Sequence, residues 1–216
     1  RYLRLDLKDG PNWRYGIKEV QLQPLAFAAT PNDFIKSLAA KLPRGSYPRG
    51  FSGEQPYWTI LGLDGGSEQG LIGEDGAVEV GKGGFSIEPF VVTGGKVLHW
   101  SDVSSEQSLQ DDYLPIPSVD WHHDLMNLRV TAFVQGTPDQ AQLVARYQLH
   151  NTGKQARDFT LALAVRPFQV NPPSQFLNTL GGVSPIEQLA VDGGNVSVNG
   201  KPRVFAAQRP DASFAT

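Results

Sequence analysis

Hydrophobic and polar residues alternate along three stretches in the second half of the chain. Residues 126–134 read MNLRVTAFV, and similar alternation runs over residues 142–149 and 159–165. A period of two places successive side chains on opposite faces, so each stretch predicts a half-buried β-strand. The connections QGTPDQ and NTGKQ are short, as in antiparallel meanders.

Short apolar runs separated by glycine-rich turns fill much of the remaining chain. YWTILGL, GAVEV, GFSIEPFVV and KVLHW are separated by DGGSEQG, GKGG and TGG, and a later segment turns at Asn199-Gly200. We therefore predict a mainly β protein, an antiparallel β-sandwich without βαβ units. The segment DVSSEQSLQDDYLPIPSVD is interpreted as a long polar loop with some strand potential.

One segment near the N-terminus has a helical pattern. In TPNDFIKSLAAKL, Thr30 is a candidate N-cap, Pro31 occupies the first helical position and Asp33 lies in the first turn. We predict one short amphipathic helix that ends before Pro43.

Composition excludes several functional classes. The net charge is −3 and no run of Lys and Arg is present, which argues against nucleic acid as a partner. No apolar run approaches the roughly 20 residues that span a bilayer, so we expect no membrane contact. The chain has no cysteine, which excludes disulfides and thiol chemistry. We expect no cofactor, and we favour a periplasmic or extracellular location, although composition leaves the compartment open.

The stretch SVDWHHDLMNLRVTAFV, residues 118–134, concentrates the candidate chemistry. Adjacent histidines point to opposite faces of a strand, which disfavours a shared metal ion. A histidine beside Asp120 or Asp124 could instead form an oriented acid or base. An exposed indole with a polar rim could stack on a sugar. A plain junction between a loop and a strand is a further alternative.

Strand parity constrains this motif. If one strand continued through it, His122 and Asp124 would share the face of Met126, and Trp121 would share the face of Asn127. Because polar groups are not buried unpaired beside methionine, we expect one of two arrangements. Either residues 120–124 form an exposed loop, or His122 and Asp124 bond each other at the sandwich rim.

Two stretches resemble known families. RYLRLDLKDGPNWRYGIKEVQLQ resembles the C-terminal strand pair of discoidin domains, also called coagulation-factor type C domains, which bind glycans or lipid headgroups. We therefore assign residues 1–24 to the end of a discoidin-like jelly roll, without carrying over ligand residues. Residues 25–56 are assigned to the short helix and a linker.

The second stretch runs from FSIEPFVV through SVDWHHDLMNLRVTAFVQG to YQLHNTGKQARDFTLALAVRPFQVNP. It is similar to the N-terminal supersandwich domain of bacterial glycoside hydrolases and disaccharide phosphorylases, a galactose-mutarotase-like β-sandwich that precedes an (α/α)6 barrel. The resemblance implies that residues 57–216 form such a domain, which we expect to be incomplete. It also implies that the catalytic carboxylates lie in a helical barrel outside these 216 residues.

We therefore predict a non-catalytic β-sandwich module of a larger carbohydrate-active protein, which supports adjacent domains of the same polypeptide and contacts a saccharide or glycan. Trp121 is expected to stack on a pyranose face, while polar neighbours bond hydroxyl groups. Two alternatives stay open, an aldose-epimerase-like enzyme with a histidine acid or base, and a pure interaction or spacer module. The predicted carbohydrate-binding residues are Trp121, His122, His123, Asp124, Trp100 and Asp120.

Overall fold

The computed structural model describes residues 18–174 and 179–215 of the chain. Most of the strand pair predicted for residues 1–23 lies outside the described residues. The described part is mainly β, with antiparallel sheets, one α-helix and several short 3-10 helices. The predicted fold class is therefore confirmed.

The helix α1, Pro31–Ala39, begins at the predicted signals. The Thr30 hydroxyl accepts a hydrogen bond from the Asp33 N–H at 3.1 Å, and the Asp33 carboxylate accepts one from the Thr30 N–H at 3.1 Å. This reciprocal capping box satisfies two N–H groups that the helix itself leaves unpaired. Within the described ranges, no helix is both long and apolar enough to cross a membrane.

Within residues 18–174 and 179–215, sheet A has six antiparallel strands. Their bounds are Trp58–Gly62 (β1), Gln69–Gly73 (β2), Val78–Glu79 (β3), Ser86–Thr93 (β4), Lys96–Leu98 (β5) and Thr160–Arg166 (β10). The order is β1-β2-β3-β4-β10, and β5 also pairs with β4.

In the part of the chain that the structure describes, sheet B has four antiparallel strands in sequence order. They are Ser104–Gln110 (β6), Leu114–His123 (β7), Met126–Gln135 (β8) and Gln142–Asn151 (β9). The loop predicted for residues 102–120 is wrong, since this segment forms β6 and most of β7. Every residue of β6 is exposed. Because neither face of this strand is buried, its sequence lacks the alternation of apolar and polar residues that predicts a strand.

A small third sheet follows, with strands Leu189–Asp192 (β11), Asn195–Val198 (β12) and Lys201–Val204 (β13). Asn199 and Gly200 both adopt positive φ, 51° and 75°, which confirms the predicted tight turn between β12 and β13. The Asn199 side-chain oxygen also accepts the Glu187 N–H at 2.8 Å, which ties the turn to the chain entering β11.

The main core lies between sheets A and B. Sheet A contributes Leu61, Ile72, Val78, Val91 and Leu98, and sheet B contributes alternate residues of β7 and β8. The sheet B members of the core are Val119, Trp121, Met126, Leu128, Val130 and Ala132. Burial of this apolar surface is the main favourable term for the fold.

A second layer covers part of sheet A on the side away from this core. We call residues 43–56 the arm. Its Phe51 packs in a separate apolar cluster with Phe168 and with Ala39 of α1. The Arg166 guanidinium on β10 donates to the Ser46 carbonyl at 2.9 Å. Gly45 has a φ of 93°, and a Cβ there would collide with the His99 ring, so this close approach requires glycine.

Candidate functional site

The motif at residues 118–134 forms a β-hairpin. Strand β7 runs to His123, Asp124 and Leu125 form a two-residue turn, and β8 starts at Met126. The His123 Nδ1 atom accepts the Leu125 N–H at 3.1 Å, and the Thr152 hydroxyl donates to the Asp124 carbonyl at 3.0 Å. Both predicted arrangements of residues 120–124 are therefore wrong, because these residues end one strand and begin a turn.

The hairpin also corrects the predicted parity. Directly opposite residues share a face, and the structure pairs His123 with Met126 and Trp121 with Leu128. Trp121 therefore faces the core, whereas we expected it beside Asn127. The parity predicted for a single continuous strand is wrong because the two-residue turn reverses the chain between the two halves of the motif.

Trp121 is 1% exposed, and its indole N–H donates to the Asp75 carbonyl at 3.1 Å. An indole stacks on a sugar only through an exposed ring face. The predicted stacking role of Trp121 is thus replaced in this structure by a role in the core.

Trp100 lies in the 3-10 helix Trp100–Asp102 and is 7% exposed. Its indole N–H donates to the Tyr47 carbonyl at 3.1 Å. The guanidinium groups of Arg44 and Arg49 lie over its ring, 4.4 Å and 4.9 Å from the ring centroid. These cation–π contacts hold the arm against the sandwich. The Trp100 ring therefore contacts the arm, whereas we had expected it to contact a saccharide.

Asp120 and His122 are brought together on the face of sheet B that points away from the core. Asp120 lies opposite Arg129, and His122 lies opposite Asn127. The Arg129 guanidinium makes two hydrogen bonds to the Asp120 carboxylate, at 2.8 Å and 2.7 Å. The hydrogen bond to Asp120 is the main cause that raises the pKa of Arg129.

We call the surface around this pair the outer face of sheet B. His122 Nε2 lies 3.8 Å from the Glu106 carboxylate, whose side chain is 80% exposed. The two cross-strand pairs, Asp120 with Arg129 and His122 with Asn127, continue onto β9. There Gln148 lies beside Arg129 and His150 lies beside Asn127. The outer face is defined by Glu106, Asp120, His122, Asn127, Arg129, Arg146, Gln148 and His150.

The sequence did not reveal a second polar site, where the arm meets sheet A. The Arg49 guanidinium donates to the Asp75 carboxylate from Nε at 2.8 Å, and its Nη1 lies 3.2 Å from Glu74. Glu88 on β4 accepts hydrogen bonds from Arg166 at 2.8 Å and from Ser86 at 3.0 Å. We call this site the arm cleft.

Burial dominates the electrostatics of the arm cleft. It raises the pKa of Glu88 despite the neighbouring Arg166, and it raises the pKa of Asp75 despite Arg49. The available signals were two arginines in the loop PRGSYPRGF and a glutamate inside the apolar run FSIEPF. Neither signal shows which residue pairs with each charged side chain, because the paired residues are distant in sequence.

The arm cleft is too small for a sugar. It encloses a volume of about 30 Å³ and is lined largely by Pro48, Phe51, Tyr57, Val170 and Pro172 around the buried carboxylates. Small-molecule pockets usually have volumes of roughly 300 Å³ or more. The cleft therefore has space for water and not for a sugar ring.

Chemically, the outer face of sheet B offers hydrogen-bond donors and acceptors to solvent. Neighbouring strands are about 4.8 Å apart, so its side chains form a regular grid. His122 and Glu106 lie in solvent and are not part of a buried acid–base pair. Over the ranges that the structure describes, no group of three or more His, Asp or Glu side chains could hold a metal ion.

Comparisons of the chain with protein-family models, with curated proteins and with solved structures found no match.

Proposed function

We propose that the chain is a non-catalytic β-sandwich module of a larger carbohydrate-active protein. It supports neighbouring domains and contacts saccharide through the outer face of sheet B. The supersandwich resemblance motivates the protein class. The geometry supports the choice of face, because the chain's own arm covers part of the opposite side of the sandwich.

One observation carries the proposal. Asp120, His122, Asn127 and Arg129 lie in register on the outer face, in two adjacent cross-strand pairs, with His122 and Arg129 exposed and Asp120 and Asn127 half-buried. Carboxylate, imidazole, amide and guanidinium groups together supply both the acceptors and the donors that sugar hydroxyls require. The grid is rigid, because β7 is paired on one side with β6 and on the other with β8.

Binding at this face depends on hydrogen bonds. Each net hydrogen bond to an exposed group contributes about 1 kcal/mol. Four such bonds correspond to a dissociation constant of about 1 mM. We therefore expect weak binding that favours an extended oligosaccharide over a monosaccharide.

A nuclear magnetic resonance titration tests the proposal. The labelled chain is titrated with a panel of neutral oligosaccharides, and amide shifts are followed. We expect saturable shifts at Asn127 and Arg129, and their loss in His122→Ala. Lys201→Ala, an exposed change on β13 of the third sheet, serves as the matched control and should bind as the wild type does.

Shifts confined to another region would contradict the choice of face. The absence of shifts at about 10 mM of every saccharide, ten times the expected dissociation constant, would reject saccharide contact. In that case a purely supporting module would be favoured.

A further inference from the structure

Strand β9 has one unpaired edge in the described structure. It pairs along its full length with β8, from Met126 opposite Asn151 to Gln135 opposite Gln142. In the described part of the chain, no other strand pairs with β9, and no loop backbone hydrogen-bonds to residues 143–150. The N–H and C=O groups on its outer side are therefore available to another strand.

This edge lacks the features that usually prevent strand addition. The sequence QLVARYQLHN contains no proline, glycine, lysine or acidic residue, and its pairing with β8 has no bulge. The opposite edge of the same sheet, β6, carries Glu106 and has a register shift between Leu109 and Gln110. A bulge disrupts the pairing template of an edge strand, so β6 is protected by its register shift, whereas β9 has no bulge and is open.

Tyr147 gives an independent indication that a neighbour belongs here. It lies on β9 opposite the core residue Val130, and it packs against the main core. Its hydroxyl is buried and has no hydrogen-bond partner among the described residues. An unsatisfied buried hydroxyl costs about 1–3 kcal/mol, and a strand added beside β9 would place a side chain next to it.

The charge pattern of β9 specifies the chemistry of that strand. Arg146 is exposed, points to the outer face and forms no ion pair in the described structure. A second copy of β9 contains no acidic residue that could lie opposite Arg146. A strand with Asp or Glu at that position could form a favourable pair with it. We propose that β9 binds an extended peptide segment as a fifth strand of sheet B, with apolar residues on the core side and an acidic residue opposite Arg146.

The inference does not depend on saccharide binding, and it is tested on the whole chain with synthetic peptides. One peptide alternates valine and threonine over eight residues and carries a central glutamate on the threonine side. A second peptide carries lysine at that position. We expect the glutamate peptide to bind about tenfold more tightly by fluorescence anisotropy, and Arg146→Glu to reverse this preference.

One variant is a control for the change of charge at Arg146, and a second variant tests the role of the Tyr147 hydroxyl. Arg209→Glu changes the net charge equally at an exposed position of the C-terminal segment and should preserve the wild-type preference. A third peptide, with threonine in place of the core-side valine opposite position 147, should bind the wild type more tightly than the valine peptide, because its hydroxyl can pair with that of Tyr147. Tyr147→Phe should abolish this difference. Amide exchange should slow at alternate residues of β9 when the peptide is bound.

Three outcomes would overturn the proposal. Equal affinity of both peptides for wild type and Arg146→Glu would remove the charge assignment. A dimer in light scattering that Val144→Lys dissociates would identify a second copy as the occupant. The absence of binding and of slowed exchange at about 2 mM peptide would show that the edge does not accept a strand.

Discussion

The indole N–H of Trp121 donates a hydrogen bond of 3.1 Å to the backbone carbonyl of Asp75. Trp121 belongs to β7 of sheet B, and Asp75 lies between β2 and β3 of sheet A. The Asp75 carboxylate also accepts a hydrogen bond from Arg49 of the arm at 2.8 Å. Asp75 therefore links the arm and both sheets, and these contacts predict that Trp121 matters for stability.

Replacing Trp121 by alanine should lower the free energy of unfolding by about 3–5 kcal/mol, because a fully buried aromatic side chain is removed. Trp121→Phe keeps most of the apolar contact but leaves the Asp75 carbonyl unsatisfied, so a loss of about 1–3 kcal/mol is expected. His122→Ala, one residue away on the exposed face, should change stability by less than about 0.5 kcal/mol. Urea denaturation measures all three, and a similar loss for Trp121→Ala and His122→Ala would contradict the assignment.

The buried pair of Arg166 and Glu88 predicts strong coupling. Arg166→Met leaves the Glu88 carboxylate buried with Ser86 as its remaining hydrogen-bond partner among the described residues. Loss of one partner of a buried ion pair costs about 3–5 kcal/mol. The double variant Arg166→Met with Glu88→Met should recover much of that loss, since no unpaired charge remains. A double-mutant cycle measures the coupling, and additive losses would show that the two side chains do not interact.

Buried carboxylates predict the direction of the pH dependence of stability. Burial raises the pKa of Asp75, Glu79 and Glu88 in the folded chain, above the value of about 4 expected in the unfolded chain. The folded state then binds more protons between these pKa values, so stability falls as pH rises through this window. We expect a higher melting temperature at about pH 5 than at about pH 8.

Variants separate the carboxylates with a raised pKa from one with a lowered pKa in this pH dependence. Glu79→Gln removes one titrating group and should make the slope shallower, although it also weakens hydrogen bonds from Gly83 and Asn171. Glu54→Gln removes a carboxylate whose pKa is lowered by its hydrogen bond with Arg44, so it should not make the slope shallower. A melting temperature that rises steadily from about pH 5 to pH 8 would contradict the predicted sign.

Local signals predicted much of the fold. The Thr30, Pro31 and Asp33 signals located the start of α1, and Asn199-Gly200 located a hairpin turn. These features depend on residues that are neighbours in sequence, so short patterns are sufficient. The apolar alternation also located β8, because every second residue from Met126 to Ala132 faces the core.

The candidate site was harder to predict because it depends on distant contacts. Trp121 was expected on an exposed face, and the burial of its ring follows from pairing with Leu128 across a turn that the pattern did not indicate. The ion pair of Glu88 and Arg166 joins residues 78 positions apart. Strand β6 was missed because both of its faces are exposed, so apolar and polar residues do not alternate along it.

The turn between β6 and β7 predicts a stabilising substitution. Asp111 and Asp112 both have positive φ, 53° and 65°, a region that favours glycine. Asp112→Gly relieves roughly 1 kcal/mol of backbone strain in the folded chain. It also raises the conformational entropy of the unfolded chain, which lowers stability by about 0.5 kcal/mol. We expect a net gain of about 0.5 kcal/mol in urea denaturation. Asp124→Gly is the matched control in the turn between β7 and β8; Asp124 has a negative φ, so glycine relieves no strain there and stability should fall or stay constant. If both variants destabilised the chain equally, the left-handed conformation of Asp112 would not be a source of strain.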